Sequence, residues 1–263
     1  MTEVQLPIVQ HHQKLPKVSL LTPTYNRRSF LPWIIKVVQA FNYPTELMEW
    51  IIIDDTPSGS SKDLFDGISY CKYLYLDQKI SLPAKRNLLN NSATGDILIC
   101  LDDDDYYPPE RIMHVVNVLT VLNKPRIAGS KNVHVYFAQN KEIWHFTQVS
   151  YGCASMAYTK SYAMTHTFSS KYQNVRSLNE HDREKAINSF EEASFIGKSS
   201  VIELDPLQTM LVIAHSSNTI DKYPILSLYH NNQLHGTTGH LTGFVLKNFI
   251  INEELRSFYE SLA

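Results

Sequence analysis

Apolar runs alternate with segments whose apolar residues recur at helical spacing through the N-terminal half of the chain. The runs predict strands at residues 18–21, 50–53, 73–76 and 96–101. Helices are predicted to begin at Ser29, which can serve as N-cap, at Ser81 and at Glu110. Strands alternating with helices are typical of a parallel sheet with helical crossovers. We therefore expect an α/β, doubly wound fold with helices on both faces of a mostly parallel sheet.

The C-terminal half is less regular in its pattern. It predicts a hairpin, a helix, two strands and a C-terminal amphipathic helix at residues 132–146, 183–195, 201–204, 210–214 and 241–262. The apolar stripe of the last helix is expected to pack on the core. The sequence shows no internal repeat and no linker of low complexity, so residues 17–263 are interpreted as a single domain after a peripheral arm, residues 1–16.

Four consecutive aspartates, Asp102 to Asp105, follow directly on the apolar run at residues 96–101. Carboxylates this close repel one another unless a cation compensates their charge. Mg²⁺ and Mn²⁺ take oxygen ligands and are usually held by one or two carboxylates together with substrate phosphates. In open α/β sheets, ligands bind at the carboxyl ends of the strands. The cluster therefore indicates a metal-assisted site for a phosphorylated substrate rather than a solvated acidic turn.

Composition narrows the functional classes. Of the 263 residues 43% are hydrophobic and 19% are charged, as in an ordinary soluble globular protein. The formal net charge of −2 gives no electrostatic basis for a nucleic-acid partner. No stretch resembles a signal peptide or a membrane span, and the three cysteines lack metal-ligand spacing. We therefore expect an intracellular, cytoplasmic protein with reduced thiols.

Five short motifs occur in a fixed order in the N-terminal half. They are Pro23-Thr24-Tyr25-Asn26-Arg27, Ile53-Asp54-Asp55, Ala84-Lys85-Arg86-Asn87, Ala93-Thr94-Gly95-Asp96 and Leu101-Asp102-Asp103-Asp104-Asp105. In order and spacing they resemble the family 2 glycosyltransferases of the GT-A fold. The resemblance implies an enzyme that moves a sugar from a nucleotide-sugar donor to the hydroxyl of a glycan or other acceptor.

The resemblance also implies roles for single residues. Asp55 would hydrogen-bond the base, Arg86 would approach the base and phosphates, and a UDP-linked donor is favoured. The residues implied to bind the nucleotide sugar are Pro23, Thr24, Tyr25, Arg27, Asp55, Arg86, Asp102 and Asp103. Physically this is reasonable, since arginine presents planar, bidentate donors to phosphate.

The same resemblance assigns a metal site. Asp102 and Asp104 belong to the DxD element and would hold Mn²⁺ or Mg²⁺ on the diphosphate, while Asp105 is expected to order the loop that follows. His215 lies at the end of the predicted strand 210–214, where many such enzymes supply a third metal ligand. Imidazole is a common metal ligand, although a structural histidine is an equal alternative.

An inverting enzyme of this family also needs a carboxylate base, usually in a Glu-Asp pair that opens a helix. The sequence has no such pair and offers Glu191-Glu192 or the acid of Glu180-His181-Asp182. Glu192 is preferred because apolar residues follow it as in the family's helix. Glu191 and Asp182 remain alternatives.

On this interpretation residues 17–125 bind the nucleotide and residues 126–240 bind the acceptor. Two other functions stay open. A sugar-phosphate nucleotidylyltransferase would normally show a glycine-rich loop after the first strand, and this chain has Thr-Pro-Thr-Tyr-Asn-Arg there. A degenerate GT-A domain could instead act as a carbohydrate-binding or scaffolding module.

Overall fold

Two β-sheets with flanking helices organise the residues that the computed structural model describes, 14–120, 126–169, 191–218, 222–224, 226 and 238–262. The strands are β1 (Val18–Thr24), β2 (Met48–Asp54), β3 (Cys71–Tyr75), β4 (Ile97–Cys100), β5 (Ile127–Gly129), β6 (Val133–Phe137), β7 (Glu142–Thr147), β8 (Ala157–Thr159), β9 (Val201–Glu203), β10 (Leu211–Ala214) and β11 (Thr238–Leu241). The helices are α1 (Leu31–Gln39), α2 (Leu82–Ser92), α3 (Arg111–Leu119), α4 (Lys160–Ala163), α5 (Glu191–Ile196), α6 (Pro206–Thr209) and α7 (Glu253–Glu260). Short 3₁₀ turns lie at Thr45–Leu47, Lys62–Phe65, Cys153–Ser155 and Leu246–Asn248.

The larger sheet is doubly wound and mostly parallel, as the sequence predicts. Its strand order is β3-β2-β1-β4-β8-β5-β9. Strands β3, β2, β1 and β4 run parallel, β8 is antiparallel to both of its neighbours, and β9 is parallel to β5. The order reverses at β1, which pairs with β2 on one side and β4 on the other. This reversal is the topological switch point at which such sheets bind ligands.

Helices cover both faces of the larger sheet. On one face α1 and α3 bury apolar stripes, with Ile34, Val38 and Val115 in the same core cluster as Leu20 of β1. On the other face, Leu89 of α2 packs with residues of α4 and α5. Every residue of β1 is buried, as expected for a central strand covered on both sides.

The smaller sheet has the strand order β10-β6-β7-β11. Strands β6 and β7 form the hairpin predicted at residues 132–146, and β11 pairs antiparallel with β7. An isolated antiparallel bridge joins Tyr106 to Leu211 of β10. The loop after β4 is thereby tied to the smaller sheet.

The helix predicted to begin at Ser29 begins two residues later, so the N-cap prediction is wrong. Phe30 occupies the N-cap position and no side chain caps the helix. The backbone carbonyl of Arg27 instead accepts the N–H groups of Phe30 and Leu31 at 2.8 and 3.3 Å. Because this backbone turn already provides an acceptor for N–H groups at the start of the helix, a capping hydroxyl is not needed.

The single helix predicted over residues 241–262 is also wrong. Residues up to Leu241 belong to β11, the Thr242 hydroxyl bonds the carbonyl of Ile143, and a 3₁₀ turn follows. The helix proper is α7, where the Asn252 side chain accepts the N–H of Leu255 as an N-cap. Pairing with β7 outweighs the local helical periodicity of the first part of this segment. The remaining helix packs on the core as expected, with Leu255 and Tyr259 buried.

The chain segments that precede residue 170 and follow residue 190 lie side by side. The Asn87 side chain of α2 donates to the carbonyl of Phe168 and accepts its N–H, at 2.8 and 2.9 Å. The ring of Phe168 stacks on Phe195 of α5 with centroids 4.0 Å apart. The N–H of Ser169 donates to the Ser194 hydroxyl. We call these contacts the Asn87 clamp.

Gly95 lies where the backbone of β1 leaves no room for a side chain. A Cβ atom there would meet the Ser19 Oγ at 2.6 Å and its backbone N at 2.7 Å. We expect Gly95→Ala to lower the free energy of unfolding by about 1–3 kcal/mol, the usual cost of overpacking. Chemical denaturation measures this change. Gly152→Ala is the matched control, since a Cβ at Gly152 would meet no atom within 4 Å and its φ is −82°. Equal losses in both variants would contradict the steric explanation.

Within the described ranges, no helix has the length and apolar character required to cross a membrane.

Candidate active site

Three neighbouring parallel strands bring the sequence motifs to one edge of the larger sheet. Strand β1 ends at Thr24, β2 ends at Asp54, and Asp102 lies two residues beyond β4. Because β2, β1 and β4 are adjacent and parallel, their carboxyl ends lie next to one another. Pro23, Thr24, Tyr25, Asp55, Asp102, Asp103 and Asp104 therefore share this edge.

Thr24 and Arg27 contact Asp103. The Thr24 hydroxyl donates to Asp103 Oδ2 at 2.5 Å, and Arg27 Nε lies 4.0 Å from Asp103 Oδ1. Burial, together with the charge of Asp104, raises the pKa of Asp103 to about 8. Asp103 therefore holds a proton more readily than an ordinary carboxyl group.

Asp104 lies within a group of polar partners. Its Oδ2 is 3.3 Å from Arg27 NH2 and 3.3 Å from His215 Nε2. The Asn218 amide nitrogen donates to the same oxygen at 3.2 Å. Burial alone would raise the pKa of Asp104, but the hydrogen bond from His215 and the charges of Lys222 and Arg27 lower it to about 2. Asp104 is therefore an anion at any working pH.

The ligand atoms around Asp104 suit a divalent cation that also binds phosphate. Asp104 and His215 meet at 3.3 Å, and within the described residues Asp102 Oδ2 and Asp104 Oδ1 receive no hydrogen bond. No group of three or more His, Cys, Asp or Glu side chains in these ranges is arranged to hold a metal ion by itself. A protein contribution of one or two carboxylates, completed by substrate phosphates, is the usual arrangement for Mg²⁺. The residues fit such a cation.

Asp105 has a structural role. It is buried, and its Oδ1 accepts the N–H of Ile213 in β10 at 2.9 Å. Its carbonyl accepts the hydroxyl of Tyr259 in α7 at 3.0 Å. These bonds fix the loop after β4 against the smaller sheet and α7, in agreement with the predicted ordering role.

Asp55 is held by α2 and by the loop before it. Lys85 Nζ donates to Asp55 Oδ1 at 2.5 Å and to the carbonyl of Thr24 at 2.8 Å, and the N–H of Ile80 donates to Asp55 Oδ2. Lys85 and Asp55 are both buried. Burial lowers the pKa of Lys85, although Asp55 opposes this shift. The predicted contact between Asp55 and the base stays a prediction.

Arg86 is a buried cation between two carboxylates. Its Nε donates to Glu191 Oε1 at 2.8 Å, and its NH2 lies 3.3 Å from Asp102 Oδ1. Only 5% of the residue is exposed, so Arg86 is not a solvated surface cation. Asp102, Arg86 and Glu191 form a line that joins the aspartate cluster to the first turn of α5. We call this line the Asp102–Glu191 ion-pair line.

Glu192 lies beside that line with one oxygen unpaired. Its Oε1 accepts the N–H of Cys153 at 3.0 Å, while within the described residues its buried Oε2 has no hydrogen-bond partner. Burial raises the pKa of Glu192 above its ordinary value, although the charge of Arg86 opposes the shift. A carboxylate with a raised pKa and a free oxygen has the properties of a general base. Asp182, the alternative base, lies outside the described residues.

Tyr25 lies at the edge of the site beneath two ammonium groups. Lys79 Nζ is 3.8 Å from the centroid of its ring and Lys85 Nζ is 5.9 Å away. A half-buried aromatic face with cations beside it suits a flat, electron-rich group such as a nucleobase. The role predicted for Tyr25 remains a prediction.

The sequence interpretation missed two residues of the site. Lys85 lies in the motif Ala84-Lys85-Arg86-Asn87, in which the sequence predicts a role for Arg86 alone. Tyr107 was not considered, yet its hydroxyl accepts the N–H of Asp102 at 2.7 Å and it is buried. For Lys85 the signal lies in the spacing, since Lys85 and the buried Leu89 are four residues apart and so share one face of α2.

A model of glycosyl transferase family 2 matches residues 19–182. Among similar curated proteins, the undecaprenyl-phosphate 4-deoxy-4-formamido-L-arabinose transferase of Yersinia pestis (strain Pestoides F) is 30% identical over 113 residues, 41% of this chain and 35% of its own. A probable glycosyltransferase, YdaM of Bacillus subtilis (strain 168), is 27% identical over 122 residues, 43% of this chain and 28% of its own. The chain thus matches about a third of the length of these relatives.

Solved structures show the same fold at low sequence identity. A mannosyltransferase from Pyrobaculum calidifontis, in complex with GDP-Man and Mn²⁺, superposes with a TM-score of 0.56 at 12% identity, covering 78% of this chain and 59% of that one. TarS 1-349 of S. aureus, in complex with UDP, gives a TM-score of 0.51 at 13% identity, covering 93% and 69%. The GT-A type fold expected from the sequence is thereby confirmed.

Proposed function

The chain belongs to glycosyl transferase family 2, and we propose that it transfers a sugar from a nucleotide-sugar donor to an acceptor hydroxyl with inversion. The Asp102–Glu191 ion-pair line carries this proposal. It links the carboxylates that would hold a metal ion on the donor diphosphate with the helix that bears Glu192. The two residues that form this link, Arg86 and Glu191, are 105 residues apart in the sequence. A donor site and a candidate base are therefore parts of one connected site.

On the donor side, Asp104, Asp102 and His215 would hold a Mn²⁺ or Mg²⁺ ion. When bound, such an ion would neutralise charge that develops on the departing diphosphate. Arg27 stays against Asp104 and supplies a further positive charge at this position. Tyr25 offers its ring to the base, and the Lys85–Asp55 pair holds the neighbouring backbone in place.

On the acceptor side, Glu192 would take the proton of the attacking hydroxyl. Its free Oε2 can accept that hydrogen bond, while the N–H of Cys153 fixes the other oxygen. A base on one side of the sugar and a leaving diphosphate on the other favour direct displacement, which inverts the configuration of the sugar carbon. Glu191 is engaged with Arg86 and is less suited to this role.

The nucleotide is proposed to be uridine diphosphate. The S. aureus TarS structure contains UDP, whereas the Pyrobaculum mannosyltransferase contains GDP-Man, so both bases belong in a direct comparison. The names of the curated relatives also make a lipid-linked phosphate an acceptor class to include.

A thermal-shift comparison followed by product analysis tests the proposal. We expect UDP with Mn²⁺ to raise the melting temperature, because a ligand at 100 times its Kd adds about 2.7 kcal/mol to the stability of the native state. UDP-sugars should then be turned over, and NMR of the product of an α-linked donor should show the β anomer. A shift with GDP alone would move the proposal to guanosine donors. No shift with any nucleotide diphosphate, or retention of configuration, would contradict it.

A further inference from the structure

Arg111 is a wholly buried cation with few partners. It is the first residue of α3 and has 0% exposure. Its NH2 donates to the carbonyls of Ser155 and Met156 at 2.8 and 3.3 Å. Within the described residues its Nε and NH1 meet no hydrogen-bond acceptor. Burial lowers the pKa of Arg111 to about 10, which leaves it charged at neutral pH.

A contribution to the stability of the fold does not explain why an arginine is buried at this position. A buried ion costs several kcal/mol of desolvation, and hydrophobic residues of similar volume are often equally stable or more stable in its place. A cation at the first turn of a helix also opposes the helix dipole. The two carbonyl contacts are therefore the distinctive contribution of this side chain.

Those contacts reach the turn that holds Glu192. The 3₁₀ turn Cys153–Ser155 is closed by bonds from Ser155 N to Gly152 O and from Met156 N to Cys153 O, at 3.0 and 2.8 Å. At its C-terminal end the carbonyls of Ser155 and Met156 accept from Arg111. At its N-terminal end the N–H of Cys153 donates to Glu192 Oε1. The Cys153–Ser155 turn thus connects the guanidinium of Arg111 to the carboxylate of Glu192.

We infer that Arg111 is a positioning residue for Glu192, acting through the Cys153–Ser155 turn. Its guanidinium fixes the turn against the start of α3, and the turn directs one carboxylate oxygen of Glu192 so that the other faces the acceptor. This inference rests on the proposed function of Glu192. Misplacing a reacting group by about 1 Å can cost roughly 10²-fold in rate.

A double-mutant cycle with kinetic and stability readouts tests the inference. The variants are Arg111→Met, Glu192→Gln and the combination of both. We expect Arg111→Met to lower kcat by about 10–10²-fold, with the KM for the donor and the melting temperature near normal. In the Glu192→Gln background the same change should have little further effect, because the group that it positions is already gone. Arg126→Met is the matched control, since Arg126 also has a buried Nε without a partner in the described ranges, and its hydrogen bonds there go to Thr159 and not to the turn.

The outcomes separate this inference from the proposed function. The positioning role would be overturned if the fold losses of kcat in the two single variants multiplied in the double variant. It would also be overturned if the kcat of Arg111→Met lay within twofold of the wild-type value. A fully active Glu192→Gln would instead overturn the proposed base. Arg111→Lys keeps the charge with a shorter reach and enters the same cycle, so that the test holds if Arg111→Met does not fold. Partial recovery of kcat with lysine relative to methionine is expected.

Discussion

Glu192→Gln is expected to reduce the rate of sugar transfer by about 10²–10⁴-fold, the usual contribution of a general base. Glutamine has the same shape and can still accept the N–H of Cys153, so the fold and the ion pair between Arg86 and Glu191 should persist. It cannot take a proton from the acceptor. Affinity for UDP and Mn²⁺, measured by calorimetric titration, should stay near normal because Glu192 does not contact the aspartate cluster.

The control for this variant is Glu253→Gln. Glu253 also lies in the first turn of a helix, α7, but it is exposed. Removing its charge tests the general effect of losing a carboxylate at a helix N-terminus, and the transfer rate should not change. If Glu192→Gln is active and Asp182→Asn is inactive, the base must be reassigned to Asp182. If both are active, the reaction needs another base, such as Glu191, or a retaining mechanism that does not rely on one.

The pH dependence of kcat/KM is a second test of the role of Glu192 as the base. A base works only when deprotonated, so kcat/KM should fall as pH drops through its pKa in the free enzyme. Because burial raises that pKa, the acid limb should lie above the range of an ordinary glutamate. In Glu192→Gln this limb should disappear from the residual activity. An unchanged limb would assign it to another group.

Asp104→Asn is expected to reduce the rate of transfer by about 10²-fold or more while the fold remains intact. Loss of an anionic ligand removes electrostatic stabilisation of the departing diphosphate worth several kcal/mol. At about 1.4 kcal/mol per tenfold, this corresponds to about 10²-fold or more in rate. An asparagine oxygen can still accept from Arg27 and His215, so the melting temperature should change little. Activity is measured at saturating Mn²⁺ to separate weak metal binding from a lost chemical role.

Asp105→Asn provides a neighbouring control for Asp104. Asparagine Oδ1 can accept the N–H of Ile213, so the loop after β4 keeps its contact with β10. Transfer by Asp105→Asn should therefore stay close to the wild-type rate. Turnover near normal in Asp104→Asn, or equal losses in the two variants, would refute the assignment of Asp104 as the metal ligand.

The sequence predicts the fold of the N-terminal half of this protein well because its signals are local. Strands β1, β2 and β4 are apolar runs that end in polar residues, and the parallel arrangement then brings Thr24, Asp55 and Asp102 to the same edge. The hairpin at β6 and β7 is likewise encoded by a local turn. Each of these features depends on residues that are close in the chain.

The features that the sequence could not supply depend on distant partners. The first part of residues 241–262 has helical periodicity, yet Leu241 pairs with Trp144 of β7 and the Thr242 hydroxyl bonds the carbonyl of Ile143, 99 residues earlier. The ion pair between Arg86 and Glu191 joins residues 105 apart in the chain, while the contact between Arg86 and the nucleotide stays a prediction. The orientation of Glu192 depends on the backbone of Cys153. Periodicity and composition contain no information about such contacts.

The Asn87 clamp has a consequence for how this protein could be re-engineered. The stacking of Phe168 on Phe195 and the hydrogen bonds of Asn87 hold the two flanking segments together, so their free energy offsets the entropy lost on closing the chain between them. For a flexible loop, each doubling of length costs only about 0.6 kcal/mol more. Segments of other lengths, taken from related chains, could therefore be grafted between Ser169 and Glu191 at small cost in stability. Chains that differ in length between these two residues should therefore keep the Asn87 clamp, and chemical denaturation would measure the small change in their stability.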